Sequence, residues 1–187
     1  MKILPLVIAP DPLLKEVSLE VKEINDELKS FMKDMVHTMY NERGVGLAAV
    51  QVGRLVRVLV IDVDYEIIDD EDSCGSVCGS SCSVEVNKAN PRYFVNPEIV
   101  EFSDEHITYN EGCLSFPGAH SKVDRSESVC VKYLDFDGKE KTQVMDGLLA
   151  ICIQHEMDHL NGITFVDHIS KLKRDLILKK MRKLQNR

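Results

Sequence analysis

The chain has 187 residues, 44% of them hydrophobic, which fits one domain with a sizeable core, and the absence of any apolar run long enough to span a bilayer argues against a membrane protein. A net charge of −8 argues against a surface that coats DNA or other nucleic acid. Six cysteines, with no signal-type apolar region in residues 1–12, point to free thiols or ligands in a cytoplasmic protein.

The first element is a helix over about residues 26–40, with Asn25 as its N-cap and acidic residues in the first turn. Leu28, Phe31, Met32, Met35, Val36, Met39 and Tyr40 follow the 3.6-residue repeat and predict one face on the core. The methionines read as packing and His37 as structural. Next comes Gly44-Val45-Gly46-Leu47-Ala48-Ala49-Val50-Gln51-Val52-Gly53. Its glycines let a backbone approach a ligand and offer N–H groups, and the Gln51 amide can donate to a developing oxyanion. No G-x-G-x-x-G follows a strand here, so a dinucleotide site is not indicated.

Residues 56–63 are β-branched and alternating and predict a buried strand. Over residues 64–91 the pattern dissolves into acids and then Cys74, Cys78 and Cys82 among glycines and serines, a composition that predicts a surface insertion. Short strands are expected at 93–95, 98–102 and 106–109. They lead into Asn110-Glu111-Gly112-Cys113-Leu114-Ser115-Phe116-Pro117-Gly118, where Cys113 stands in punctuated sequence and its thiolate is a strong ligand for a divalent transition metal. Cys130, in a strand over 128–135, and Cys152 read as small core residues. Asp137-Gly138 predicts a hairpin turn, with residues 139–144 returning.

Asp146-Gly147 opens a central helix whose first turns, Leu148 to Ile153, are apolar on every face, and Gly162 stops it. It carries His155-Glu156-Met157-Asp158-His159. Residues i and i+4 share a helix face, so the two histidines can hold one ion. Glu156, rotated by about 100°, can reach a water on that ion without ligating it. A catalytic site of this kind takes three protein ligands and leaves a fourth position open. A metalloprotease would find its third ligand downstream, yet Phe165 stands six residues after His159 and no glutamate occurs in residues 160–187. His168 sits at the wrong spacing. A closed four-ligand module would need His168, Cys152 or Cys130 to complete it. Upstream, Cys113 is the candidate.

Residues 170–187 predict a C-terminal basic helix. From Lys171 to Arg187 eight basic residues face one acid, Asp175, a local charge of +7 that leaves the rest of the chain, at −8 overall, near −15. Leu172, Leu176, Met181 and Leu184 are expected to form its core-facing stripe.

Three segments, Gly44-Val45-Gly46-Leu47-Ala48-Ala49-Val50-Gln51, Glu111-Gly112-Cys113-Leu114-Ser115 and Gln154-His155-Glu156-Met157-Asp158-His159-Leu160, resemble in order and rough spacing the signature motifs of the peptide deformylases. The resemblance covers nearly the whole chain. It implies an α+β fold of mixed, mostly antiparallel sheets packed around a central metal-binding helix, with a C-terminal helix. The implied activity removes the formyl group from the N-terminal formyl-methionine of newly made polypeptides and releases formate. The implied metal ligands are Cys113, His155 and His159, holding one divalent ion, natively Fe2+, with Zn2+, Ni2+ or Co2+ able to substitute. Metal-bound water is then the nucleophile and Glu156 the general base and acid, while Gln51 and the backbone N–H of Leu114 stabilise the oxyanion. Ile151 and Cys152 are expected to meet the methionine side chain, and backbone groups near Val45 and Gly46 to pair with the extended peptide. Arg125 matches a family arginine and is expected to pair with Glu111. The C-terminal helix is expected to contact the ribosome through salt-sensitive phosphate contacts. Two features depart from the family pattern: the insertion around Cys74 to Cys82, and His120 where some bacterial members carry an arginine.

Overall fold

The structure, a computed structural model, describes residues 1–68 and 84–185. The Cys74, Cys78 and Cys82 stretch lies outside the described residues. Helix α1 (Asp26–Asn41) starts where the Asn25 side chain accepts from the N–H of Leu28 at 3.0 Å, and Asp26 and Glu27 complement the helix dipole. After it come β1 (Gly46–Ala48), a one-turn 3-10 helix (Ala49–Val52) and β2 (Val58–Ile61). β1 is a finding that residue pattern did not anticipate, because three small or apolar residues carry no alternation to read. Gly53, at φ 82°, turns the chain out of the 3-10 helix in a conformation that favours glycine.

The insertion begins and ends in a small antiparallel pair, β3 (Glu66–Ile68) with β4 (Glu85–Asn87). Strand β5 (Arg92–Phe102) runs through both of the short strands expected there. Its register shifts between Val95 and Glu98, next to Asn96 at φ 50°, which is a bulge that bends the strand without ending it. β6 (His106–Gly112) pairs along its whole length with β7 (His120–Ser126). Sequence periodicity missed β7 for a physical reason: of its inward positions Ser121, Val123 and Arg125 only one is apolar, too few to show an alternation. β8 (Ser128–Leu134) and β9 (Glu140–Asp146) form the hairpin expected around Asp137-Gly138.

Five strands make one sheet in the order β1-β2-β5-β8-β9, and every pairing between the described strands is antiparallel; a lone parallel bridge joins Leu19 to Val56. Met32, Met35 and Met39 of α1 cover one face with Val58, Val60 and Val95. Helix α2 (Gly147–Leu160) covers the other, packing Ala150, Ile153, Met157 and Leu160 on Leu59, Ile61, Phe94 and Val131. β2 is therefore buried on both faces, which explains its unbroken Val-Leu-Val-Ile sequence. In β8 the inward residues are Val129, Val131 and Tyr133, so Cys130 is half-buried on the outward face and is not the core residue expected.

Helix α3 (Lys171–Gln185) closes a third cluster, in which Met181, Ile177 and Leu178 meet Phe116, Phe165 and Leu14. The expected stripe is corrected here: Leu172 is 73% and Leu176 60% exposed, and Leu184 is exposed too. At about 100° per residue, Leu172 and Met181 lie half a turn apart, and only the side that meets the two phenylalanines is covered. Among the described residues no helix is long and apolar enough to cross a membrane.

Candidate metal centre and active-site cleft

Helix α2 is anchored in the midst of its cleft-facing residues. Gln154 donates to the carbonyl of Ser126 at 2.9 Å and accepts from the N–H of the same residue at 3.1 Å, which locks the helix to the end of β7. The helix then turns Ile151, Cys152, His155 and Glu156 into a cleft of about 540 Å³, walled on one side by Val45 and Gly46 and on the other by Glu111, Cys113 and Leu114. A larger cleft, about 1260 Å³, opens on the opposite side of α2 against Gln154, Asp158 and Asn161. It holds none of the motif's ligating residues.

Cys113 follows β6 in a turn closed by the N–H of Phe116 on its carbonyl, 2.9 Å. Ligand atoms of Cys113, His155 and His159 all lie within 4.8 Å of one another, and the Cys113 Sγ is 3.2 Å from His159 Nε2. Nδ1 of His155 is 2.8 Å from Glu111 Oε2. Because the carboxylate accepts, the proton sits on Nδ1 and the lone pair is left on Nε2, the tautomer a metal ligand needs. Glu111 is gripped in turn by Arg125, whose Nε and Nη2 donate at 2.7 and 3.1 Å. Burial would raise the Glu111 carboxyl, but hydrogen bonds from His155 and Arg125 outweigh it and hold the group at about 2. The expected Arg125–Glu111 pairing is present, and Arg125 also gives Nη1 to Asp158 at 2.6 Å.

The two histidines feel different surroundings. His159 is held well below the usual histidine range, first by burial and then by neighbouring His155, so it is neutral as ligation requires. At His155 burial pulls the same way, but the Cys113 sulfur and Glu111 reverse it and raise the ring, so a metal bound at Nε2 would displace a proton there. A thiolate and two imidazoles, one with its tautomer fixed by a carboxylate, fit a divalent transition metal. Closure by a fourth protein ligand is not found among the described residues, where the group is Cys113, His155 and His159 alone.

Glu156 is buried beside this group without belonging to it. A Cβ at Gly46 would lie 2.5 Å from its Oε1, and its Oε2 has no hydrogen-bond partner. Burial pushes its carboxyl up to about 7, against a smaller pull downward from His155. Gln51 is oriented by the N–H of Ala48, which donates to its Oε1 at 2.7 Å. That leaves its Nε2 3.4 Å from Cys113 Sγ and 3.3 Å from Ser115 Oγ. Val45, Gly46, Leu114, Ile151 and Cys152 all line the cleft, whereas Gln51 is buried behind Cys113. Burial raises the Cys152 thiol to about 12, so it serves as an apolar lining atom. His120 lines the cleft against Gly112.

His168, weighed from the sequence as a ligand, is instead 2.6 Å from Asp158 Oδ2. Sequence reasoning missed Asp158 and the Glu111–His155 contact. The one signal for Asp158 was its place three residues after His155, next to it on the helix surface.

A family model described as Polypeptide deformylase matches residues 3–175. A peptide deformylase of Brucella suis biovar 1 is 47% identical over 184 residues, covering 98% of this chain and 94% of the relative, and one of Novosphingobium aromaticivorans is 45% identical, covering 99% and 98%. Among solved structures, peptide deformylase from Ehrlichia chaffeensis in complex with actinonin superposes with a TM-score of 0.83 at 36% identity over the whole of both chains. The enzyme from Legionella pneumophila gives 0.80 at 39%, covering 99% of this chain and 98% of that one. Motifs, cleft geometry and near-complete alignment agree, and the chain belongs to the polypeptide deformylase family.

Proposed function

We propose that this hydrolase, which removes the N-formyl group from newly made polypeptides, works at the cleft between β1, Cys113 and α2, with Cys113, His155 and His159 holding its metal. The observation that carries the proposal is the meeting of the three ligand atoms within 4.8 Å beside the buried, unpartnered Oε2 of Glu156. A divalent ion held there supplies Lewis acidity and makes a bound water a nucleophile near neutral pH. Ferrous iron is the proposed native ion.

Glu156 takes the proton released at attack on the formyl carbon and hands it to the leaving amine. A carboxyl pushed up to about 7 suits both steps, since it binds and releases a proton near neutrality. Gln51, with its amide nitrogen turned toward Cys113, and the backbone N–H of Leu114 stabilise the oxyanion. Ile151 and Cys152 receive the methionine side chain. β1 (Gly46–Ala48) is an edge strand of the five-stranded sheet, which supports the proposal that backbone groups near Val45 and Gly46 pair with the substrate as a further strand.

The proposed compartment is the cytoplasm, and the proposed partner is the ribosome, through α3. Lys173, Lys179 and Lys183 are exposed on that helix and fit salt-sensitive docking on phosphates. Formate release from a formyl-methionyl peptide, with metal analysis on protein purified without oxygen, tests the activity and the ion together.

A further inference from the structure

The larger cleft on the far side of α2 and the metal triad are joined by one run of polar contacts. His168 Nε2 lies 2.6 Å from Asp158 Oδ2, and the carboxylate must accept, so the ring donates. Arg125 Nη1 donates to the same oxygen at 2.6 Å. Arg125 then holds Glu111 with two further hydrogen bonds, and Glu111 holds Nδ1 of His155. Arg125 and Glu111 are almost fully buried, their side chains 5% and 3% exposed, while His168 forms the outer end at 35%.

A second observation ties the same segment to the same ligand. His168 ends a 3-10 turn (Phe165–His168), and the Phe165 ring of that turn stacks on His155 at 6.4 Å with an interplanar angle of 21°. The turn therefore meets His155 twice, directly through Phe165 and indirectly through His168, Asp158, Arg125 and Glu111. The Asp158 Oδ2 is held from two sides, by Arg125 of β7 and by His168 of the turn. His168 packs it onto Arg125, whose Nη1 is 3.5 Å from His168 Nε2.

We propose that His168 is a positioning residue for the metal triad: by holding Asp158 on Arg125 it keeps Glu111 aligned with His155, and so sets the orientation of that ligand. The role presupposes the Cys113, His155 and His159 site proposed above. Losing a partner that directly orients a metal ligand weakens binding by about 10–100-fold. His168 is three residues further removed and partly solvated, so its loss is expected to weaken binding by about three- to tenfold.

The test is a titration of metal-free protein with Co2+ alone, with affinity read by chelator competition and geometry by the visible cobalt and thiolate-to-cobalt absorption bands. H168F removes the donor, and H168A does so without needing space where phenylalanine fails to fold. H168Q returns an N–H at similar reach, and C113A is run alongside. The expected result is weaker Co2+ binding and shifted bands in H168F or H168A, with affinity and bands restored in H168Q. Wild-type affinity and bands in H168F and H168A, while C113A loses both, would overturn the role of His168 and leave the metal site standing. If C113A itself bound Co2+ as wild type does, the metal site and the role of His168 would fall together.

Discussion

Gly46 and Glu156 share one space: a Cβ at position 46 would stand 2.5 Å from the Glu156 Oε1. The glycine of the first motif is thus required by a residue of the third, 110 positions away. G46A is expected to displace the carboxylate and lower kcat/KM about 100-fold, the order of loss for a misplacement near 1 Å. Metal content should stay at the wild-type level because no ligand is touched. Formate release at matched metal loading checks this, and activity within about twofold of wild type would show that Glu156 tolerates the shift.

Arg125 neutralises the buried carboxylate of Glu111 and the half-buried one of Asp158, at 2.6 to 3.1 Å. R125L leaves Glu111 charged in a site where its side chain is 3% exposed. Removing one partner of such a buried pair costs about 3–5 kcal/mol. Urea unfolding of metal-free protein should show a loss of that size, and a loss below about 1 kcal/mol would mean that Glu111 finds another partner.

Asp167 predicts a pH dependence. Burial alone would raise its carboxyl, but hydrogen bonds from Lys15 and from the N–H and hydroxyl of Thr164 bring it below its ordinary 3.8. A carboxyl lowered by folding contributes stability that is complete above its ordinary value and is lost as pH falls through its folded value. The Tm difference between wild type and D167N should therefore be present at neutral pH and shrink below about pH 4. A difference independent of pH would assign the effect of D167N to shape instead of charge.

The expected site was legible where chemistry is local in sequence. His155 and His159 declare themselves by spacing, α1 by the period of its apolar residues and β2 by its β-branched apolar run. What stayed hidden depends on segments meeting in space. β7 could not be read because Arg125 and Ser121 face inward, and Arg125 does so only because Glu111 on β6 and Asp158 on α2 receive it. Cys130 was assigned to the core by its residue type, when the alternation of β8 turns it outward. The leucines of α3 were read as one stripe although Leu172 and Met181 lie on opposite sides of the helix.

The placement of α3 also decides how ribosome docking is to be tested. Removing the last dozen residues would take away Met181 and the other side chains packed on Phe116 and Phe165. It would also remove Lys180, which donates to the carbonyl of Gly118 at the cleft wall at 2.6 Å. Reversing Lys173, Lys179 and Lys183 to glutamate leaves those contacts in place. The triple variant is expected to hydrolyse a short formyl peptide as wild type does and to lose ribosome co-sedimentation, which in the wild type should weaken as salt rises. Unchanged, salt-insensitive co-sedimentation would assign the charge of α3 to solubility.

Glu156 is expected to move the proton beside a metal held by Cys113, His155 and His159, and E156A assayed at matched metal loading separates that role from metal binding. The predicted result is near-stoichiometric metal with formate release lowered by several orders of magnitude, because a base is lost and no ligand is. Substantial turnover by E156A carrying its full complement of metal would contradict it.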